Sequence, residues 1–135
     1  MNKVLGLTLM ELLIALLIIG ILVGIAVPTY QTYVLRGNRA DAFQTLLGIQ
    51  LQQEKYRLSN TSYGTLAQVW GGVTTSPRGH YTLSITNLSA TSYTITATAV
   101  GSQTADSNGG TSCATMTLSY SNGTTTKTPA ACWGE

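Results

Sequence analysis

Few side chains in this sequence could do chemistry, and they stand far apart. Among 135 residues there is one histidine, five acids and two cysteines. His80 has no second histidine with which to share a metal, and no serine sits in a nucleophile-elbow pattern. Cys113 and Cys132 lack the paired spacing of a zinc or redox motif. The stretch Asp106-Ser107-Asn108-Gly109 starts like a calcium loop but lacks the further carboxylates such a loop needs, so a plain flexible loop is expected there. This inventory argues against an enzyme, and no cofactor or metal is expected. The remaining carboxylate of interest is Glu11, because of where it lies.

Glu11 interrupts an apolar run. Residues 7–27 make a 21-residue segment, which at helical rise spans about 30 Å, the thickness of a bilayer core. A carboxylate there costs about 2.5–3.5 kcal/mol, which marks Glu11 as functional, with a partner to be found. The alternative is that Glu11 snorkels to the headgroup level. Ahead of the run lies a leader of six residues, MNKVLG, with one basic side chain. A secretory signal is cut after its apolar region; here the small residue, Gly6, stands before it. An uncleaved signal anchor, held by Lys3 on the cytoplasmic side, is the simpler alternative. Charged residues are 9% of the chain and the net charge is +2, so charge alone does not indicate a nucleic-acid partner. In a chain exported past a membrane, Cys113 and Cys132 most simply form one disulfide, with buried free thiols as the alternative.

The combination Gly6-Leu7-Thr8-Leu9-Met10-Glu11, followed by an apolar helix and Pro28, resembles the signal of type IV pilins and of the related pseudopilins. Leu7 departs conservatively from the Phe found in many members. The resemblance implies cleavage between Gly6 and Leu7 by a prepilin peptidase, and N-methylation of the freed Leu7 amine. It implies that residues 7–28 first span the inner membrane and then pack among like segments in an extracellular filament. Glu11 would there pair with a Leu7 amine and set the register between subunits. Gly20 and Pro28 would bound a stretch that can unwind on assembly, since both weaken a helix; close helix packing at Gly20 and Gly24 is the plainer reading. The region from Cys113 to Cys132, with Trp133, resembles the disulfide-bounded C-terminal region of many pilins.

The rest of the chain reads as residues 29–135, a periplasmic or extracellular domain. Residues 29–59 suit an amphipathic helix, with Leu47, Leu51 and Leu58 facing the core and Gln44, Gln52, Gln53 and Lys55 facing solvent. Tyr30 and Tyr33 suit a membrane boundary. Tyr63, Leu66, Val69 and Trp70 suit a short helix or turn within a connecting loop. Residues 80–88, 92–100 and 113–120 alternate as strands, and Asn122-Gly123 signals a hairpin into a last short strand at 124–128. Tyr81, Leu83, Ile85, Tyr93, Ile95, Met116 and Leu118 should cover the helix. The fold expected is α+β, the pilin fold, with a long N-terminal helix on a sheet of three or four antiparallel strands.

Function follows from the resemblance. The leading expectation is a structural subunit of a type IV pilus, assembled with identical or related pilins by an inner-membrane platform and supporting adhesion, twitching motility or DNA uptake. A type II secretion pseudopilin and a DNA-binding minor pilin are the alternatives, and a single-pass anchor of unrelated function is the bland one. Residues 54–66 (EKYRLSNTSYGTL) resemble the region after the long helix in minor pilins, some of which are DNA-uptake receptors. Arg78, Arg57, Lys55 and Lys127 could together contact DNA, though scattered surface charge is the simpler reading.

Overall fold

The computed structural model describes residues 8–134, so Gly6 and Leu7 lie outside the described residues. Helix α1 runs Leu9–Arg57 and α2 runs Leu66–Trp70. Six strands follow: β1 (Tyr81–Thr86), β2 (Ser92–Ala99), β3 (Ser107–Asn108), β4 (Thr111–Ser112), β5 (Thr115–Ser121) and β6 (Thr124–Thr128). The chain divides into two compact units at Val34 and Leu35.

In the first unit every residue from Thr8 to Val34 is exposed. The apolar run makes α1 long and apolar enough to cross a membrane. The Thr8 hydroxyl accepts the Glu11 N–H at 3.2 Å, one of the orphan donors of the first turn. Pro28 lies inside the helix and has no N–H for the Gly24 carbonyl. The hydroxyls of Thr29 and Thr32 bond back to the carbonyls of Ile25 and Pro28, a contact that tends to bend helices.

In the second unit an antiparallel sheet of order β1-β2-β5-β6 covers the remaining turns of α1. Its inward side chains, Tyr81, Leu83, Tyr93, Ile95, Ala97, Met116 and Leu118, are buried with Ala42, Leu46 and Ile49 of the helix. Ile85 is half-buried against them. The β5–β6 turn places Asn122 and Gly123 at φ 47° and 88°, the left-handed geometry that this dipeptide favours.

The helix face differs from the expected one. Leu51 is 55% and Leu58 88% exposed, and Leu47 is only half-buried. The buried stripe runs Ala42, Leu46, Ile49 and Gln53, at i, i+4, i+7 and i+11. Gln53, expected on the solvent face, is wholly buried. Its amide accepts the Gly64 N–H at 2.9 Å and donates to the Gly64 carbonyl at 2.6 Å, so the loop after α1 supplies the polar partner that its burial requires.

The segment between β2 and β5 is also not the plain flexible loop expected. It forms a 3₁₀ turn, Gly101–Ala105, and the β3–β4 hairpin. Asp106 is buried and takes both nitrogens of the Arg39 fork at 2.7 Å. Gln103 donates to the Leu35 carbonyl and to the Tyr81 hydroxyl. Asn108 accepts from Arg36 at 2.8 Å and donates to the Ala131 carbonyl at 2.6 Å. Burial of Arg39 demands a carboxylate partner, and only long-range packing reveals which acid supplies it.

Candidate assembly and nucleic-acid surfaces

The residues singled out in the sequence fall in three places. Glu11 is exposed in the first turn of α1, where a negative charge favours the positive end of the helix dipole. Thr8-x-x-Glu11 carries the spacing of a helix-start signal, which the apolar run obscured in the sequence. At Gly20 an added methyl would meet nothing within 4 Å beyond its chain neighbours and the helix's own nearby backbone.

Cys113 and Cys132 form a disulfide with an S–S distance of 2.03 Å and Cα atoms 5.6 Å apart. Both are buried, with Trp133 beside them. The Trp133 ring meets Phe43 of α1 at 5.3 Å, and the Lys127 ammonium lies 5.4 Å from the Trp133 ring. Cys132 and Trp133 are therefore fixed by a covalent bond, an aromatic contact and a cation–π contact.

The cations of the proposed basic patch belong to different settings. Arg57 donates to the carbonyls of Ala90 and Asn60 and lies 5.9 Å from the Tyr63 ring. It ties the β1–β2 connection to the end of α1. Lys127 is on β6 beside Phe43 and Trp133. Lys55 is exposed in the last turn of α1. Arg78 is exposed on the tight turn that enters β1. Among the described residues the ion pair is Arg39 with Asp106, so the Arg78 guanidinium forms no direct ion pair there. Arg78 also borders a small cavity of about 150 Å³ with Asp41, Gln44, Thr45, Trp70 and Pro77.

Tyrosines line the inner side of the sheet. Tyr63, Tyr93 and Tyr120 pack with ring centroids 4.6–5.5 Å apart. Burial pushes the Tyr63 phenol up to about 12, and burial raises Tyr81 and Tyr93 also. The hydrogen bonds that Arg39 donates to Asp106 hold its guanidinium above its ordinary value. These shifts mark a packed core.

Comparison with known proteins places both parts of the chain. The family described as "Type IV minor pilin ComP, DNA uptake sequence receptor" matches residues 28–117, more than half of the chain. The prokaryotic N-terminal methylation motif matches residues 1–27. A fimbrial protein of Moraxella nonliquefaciens is 46% identical over 50 residues, 37% of this chain and 32% of that protein. The fimbrial protein EcpC of Eikenella corrodens is 35% identical over 94 residues, 69% of this chain and 61% of that protein. The chain thus spans less than two thirds of either relative.

Proposed function

The chain belongs to the family of the type IV minor pilin ComP, the DNA uptake sequence receptor, and from that premise we propose that it is a minor pilus subunit that captures extracellular DNA. Prepilin peptidase cuts between Gly6 and Leu7, and the Leu7 amine is methylated. Residues 7–28 hold the subunit in the inner membrane and then join the filament, where Glu11 sets the register and residues 20–28 adapt. Residues 29–135 stand outside the membrane.

The observation that carries the DNA reading is the family match over residues 28–117, from Pro28 inside α1 into the start of β5. Supporting it, Arg78 stands exposed on a turn, and its guanidinium forms no direct ion pair among the described residues. A guanidinium in that state suits a phosphate oxygen. The test uses the full chain in detergent micelles with a fluorescent DNA duplex at a series of salt concentrations. Binding that weakens as salt rises, with log K falling about 0.9 per phosphate contact per decade, is the expected result. No binding at the lowest salt would reject the reading. Mass spectrometry of the mature chain checks processing: an N-terminus still at Met1 would reject it.

A further inference from the structure

Arg78 owes its place to a buried acid on α1. Asp41 is 4% exposed, yet no cation pairs with it among the described residues. Its Oδ2 accepts the Ser76 hydroxyl, and its Oδ1 accepts the Arg78 backbone N–H at 3.3 Å. Ser76 is itself buried. Its Oγ accepts the Tyr81 N–H at 3.1 Å, and its own N–H donates to the Tyr81 carbonyl at 2.9 Å. The Gly79 N–H closes the turn onto the Ser76 carbonyl at 2.9 Å, with Gly79 at φ 74°. Thr75 pairs with Thr82 at the base. The turn from Ser76 to Tyr81 is thus bonded across its base and moored to the helix by one carboxylate.

We infer that Asp41 is a positioning residue for DNA capture: its carboxylate fixes the turn that presents Arg78. This rests on the DNA reading above. Asp41 is satisfied by neutral donors, a hydroxyl and a backbone N–H, so it anchors the turn while the Arg78 guanidinium stays available to an outside anion. A turn held before binding loses less conformational freedom when DNA arrives. A neighbouring carboxylate acting only through its charge would repel DNA. Positioning and charge therefore predict opposite results when the charge is removed.

The experiment is a double-mutant cycle on the full chain in micelles, with the same duplex over a salt series. Arg78→Ala should weaken binding about 3–10-fold and lower the salt slope by about 1. Asp41→Asn should weaken binding by a similar factor and lower the slope likewise. Added to Arg78→Ala, it should change nothing further. Ser76→Ala cuts the same mooring with no change of charge and should match Asp41→Asn. It decides the matter if Asp41→Asn fails to fold. Tighter or unchanged binding by these two variants, with Arg78→Ala weakened, overturns the inference and leaves DNA capture standing. An unchanged slope in Arg78→Ala overturns the inference too. Absence of salt-dependent binding by the wild type overturns both.

Discussion

The two units of this chain share one helix and follow different physics. From Thr8 to Val34 the side chains are apolar in the main and all exposed. From Leu35 onward the helix is polar in composition, yet it buries Arg39, Asp41, Thr45 and Gln53 as well as its apolar stripe. The first unit is stable only where something apolar surrounds it, lipid or other helices. The second carries its own core and neutral or ionic partners for its buried polar groups. Amino-acid type alone would have reversed the two descriptions: the oiliest part has no core, and the core is fastened by charged and amide side chains.

The largest expected effect falls on that fastening. Asp106→Ala leaves Arg39 buried with no carboxylate, which should cost about 3–5 kcal/mol. Urea unfolding of the full chain in micelles, followed by tyrosine and tryptophan fluorescence, measures it. Circular dichroism should show the apolar helix retained while the sheet signal is lost. Equal loss from both units would break the contrast between them.

Next comes the disulfide. Cys113→Ser with Cys132→Ser should remove roughly 3 kcal/mol, through the greater freedom of the unfolded chain. The same unfolding curve reads it, and added reductant should reproduce the loss in the wild type.

Much of this was legible in the sequence. The apolar run, Glu11 and the strand alternation have local signatures, and so do Asn122-Gly123 and Trp70 with its neighbours. The buried face of α1 was misread because Leu51 and Leu58 outweigh Ala42 and Gln53 on any hydrophobic scale. In the folded unit a glutamine that grips Gly64 replaces a leucine at the core's end. Asp106 and Asp41 were equally hidden. One lies in a Ser/Asn/Gly stretch, the other between two alanines, and their partners lie 67 and 35 residues away. Spacing cannot show a bond that only the tertiary fold closes.

A third effect is confined to alkaline pH. Burial lifts the Tyr63 phenol to about 12, from an ordinary value near 10, and raises Tyr81 and Tyr93 in the same direction. Each folded-state value is raised, so the stabilisation is whole below pH 10. Above it, the unfolded chain ionises while the folded one does not, and stability falls as pH rises through about 12. The buried Tyr93 hydroxyl has no hydrogen-bond partner among the described residues. Tyr93→Phe should therefore leave stability near neutral pH within about 1 kcal/mol and reduce the alkaline loss. Thermal melts from pH 8 to pH 11 test this; an alkaline slope identical to that of the wild type would exclude Tyr93 as a contributor.

The sharpest contrast comes from glycine, because one substitution should change sign between the units. An alanine methyl at Gly64 would lie 2.7 Å from Val69 Cγ1 and 3.1 Å from two carbons of the Tyr56 ring. The loop that Gln53 grips must shift to admit it, so Gly64→Ala should destabilise by about 1–3 kcal/mol. At Gly20 the same methyl meets nothing within 4 Å. There the backbone term acts alone, and Gly20→Ala should stabilise the helix by about 1 kcal/mol. Hydrogen exchange in micelles separates the two: slower exchange near residue 20 in one variant, faster exchange near residue 64 in the other. Slower exchange is the outcome to watch in pilus assembly. If residues 20–28 must unwind there, Gly20→Ala makes a better helix and a poorer filament subunit, and fewer copies should appear in sheared pili. Undiminished incorporation would mean that assembly needs neither unwinding nor close packing at Gly20.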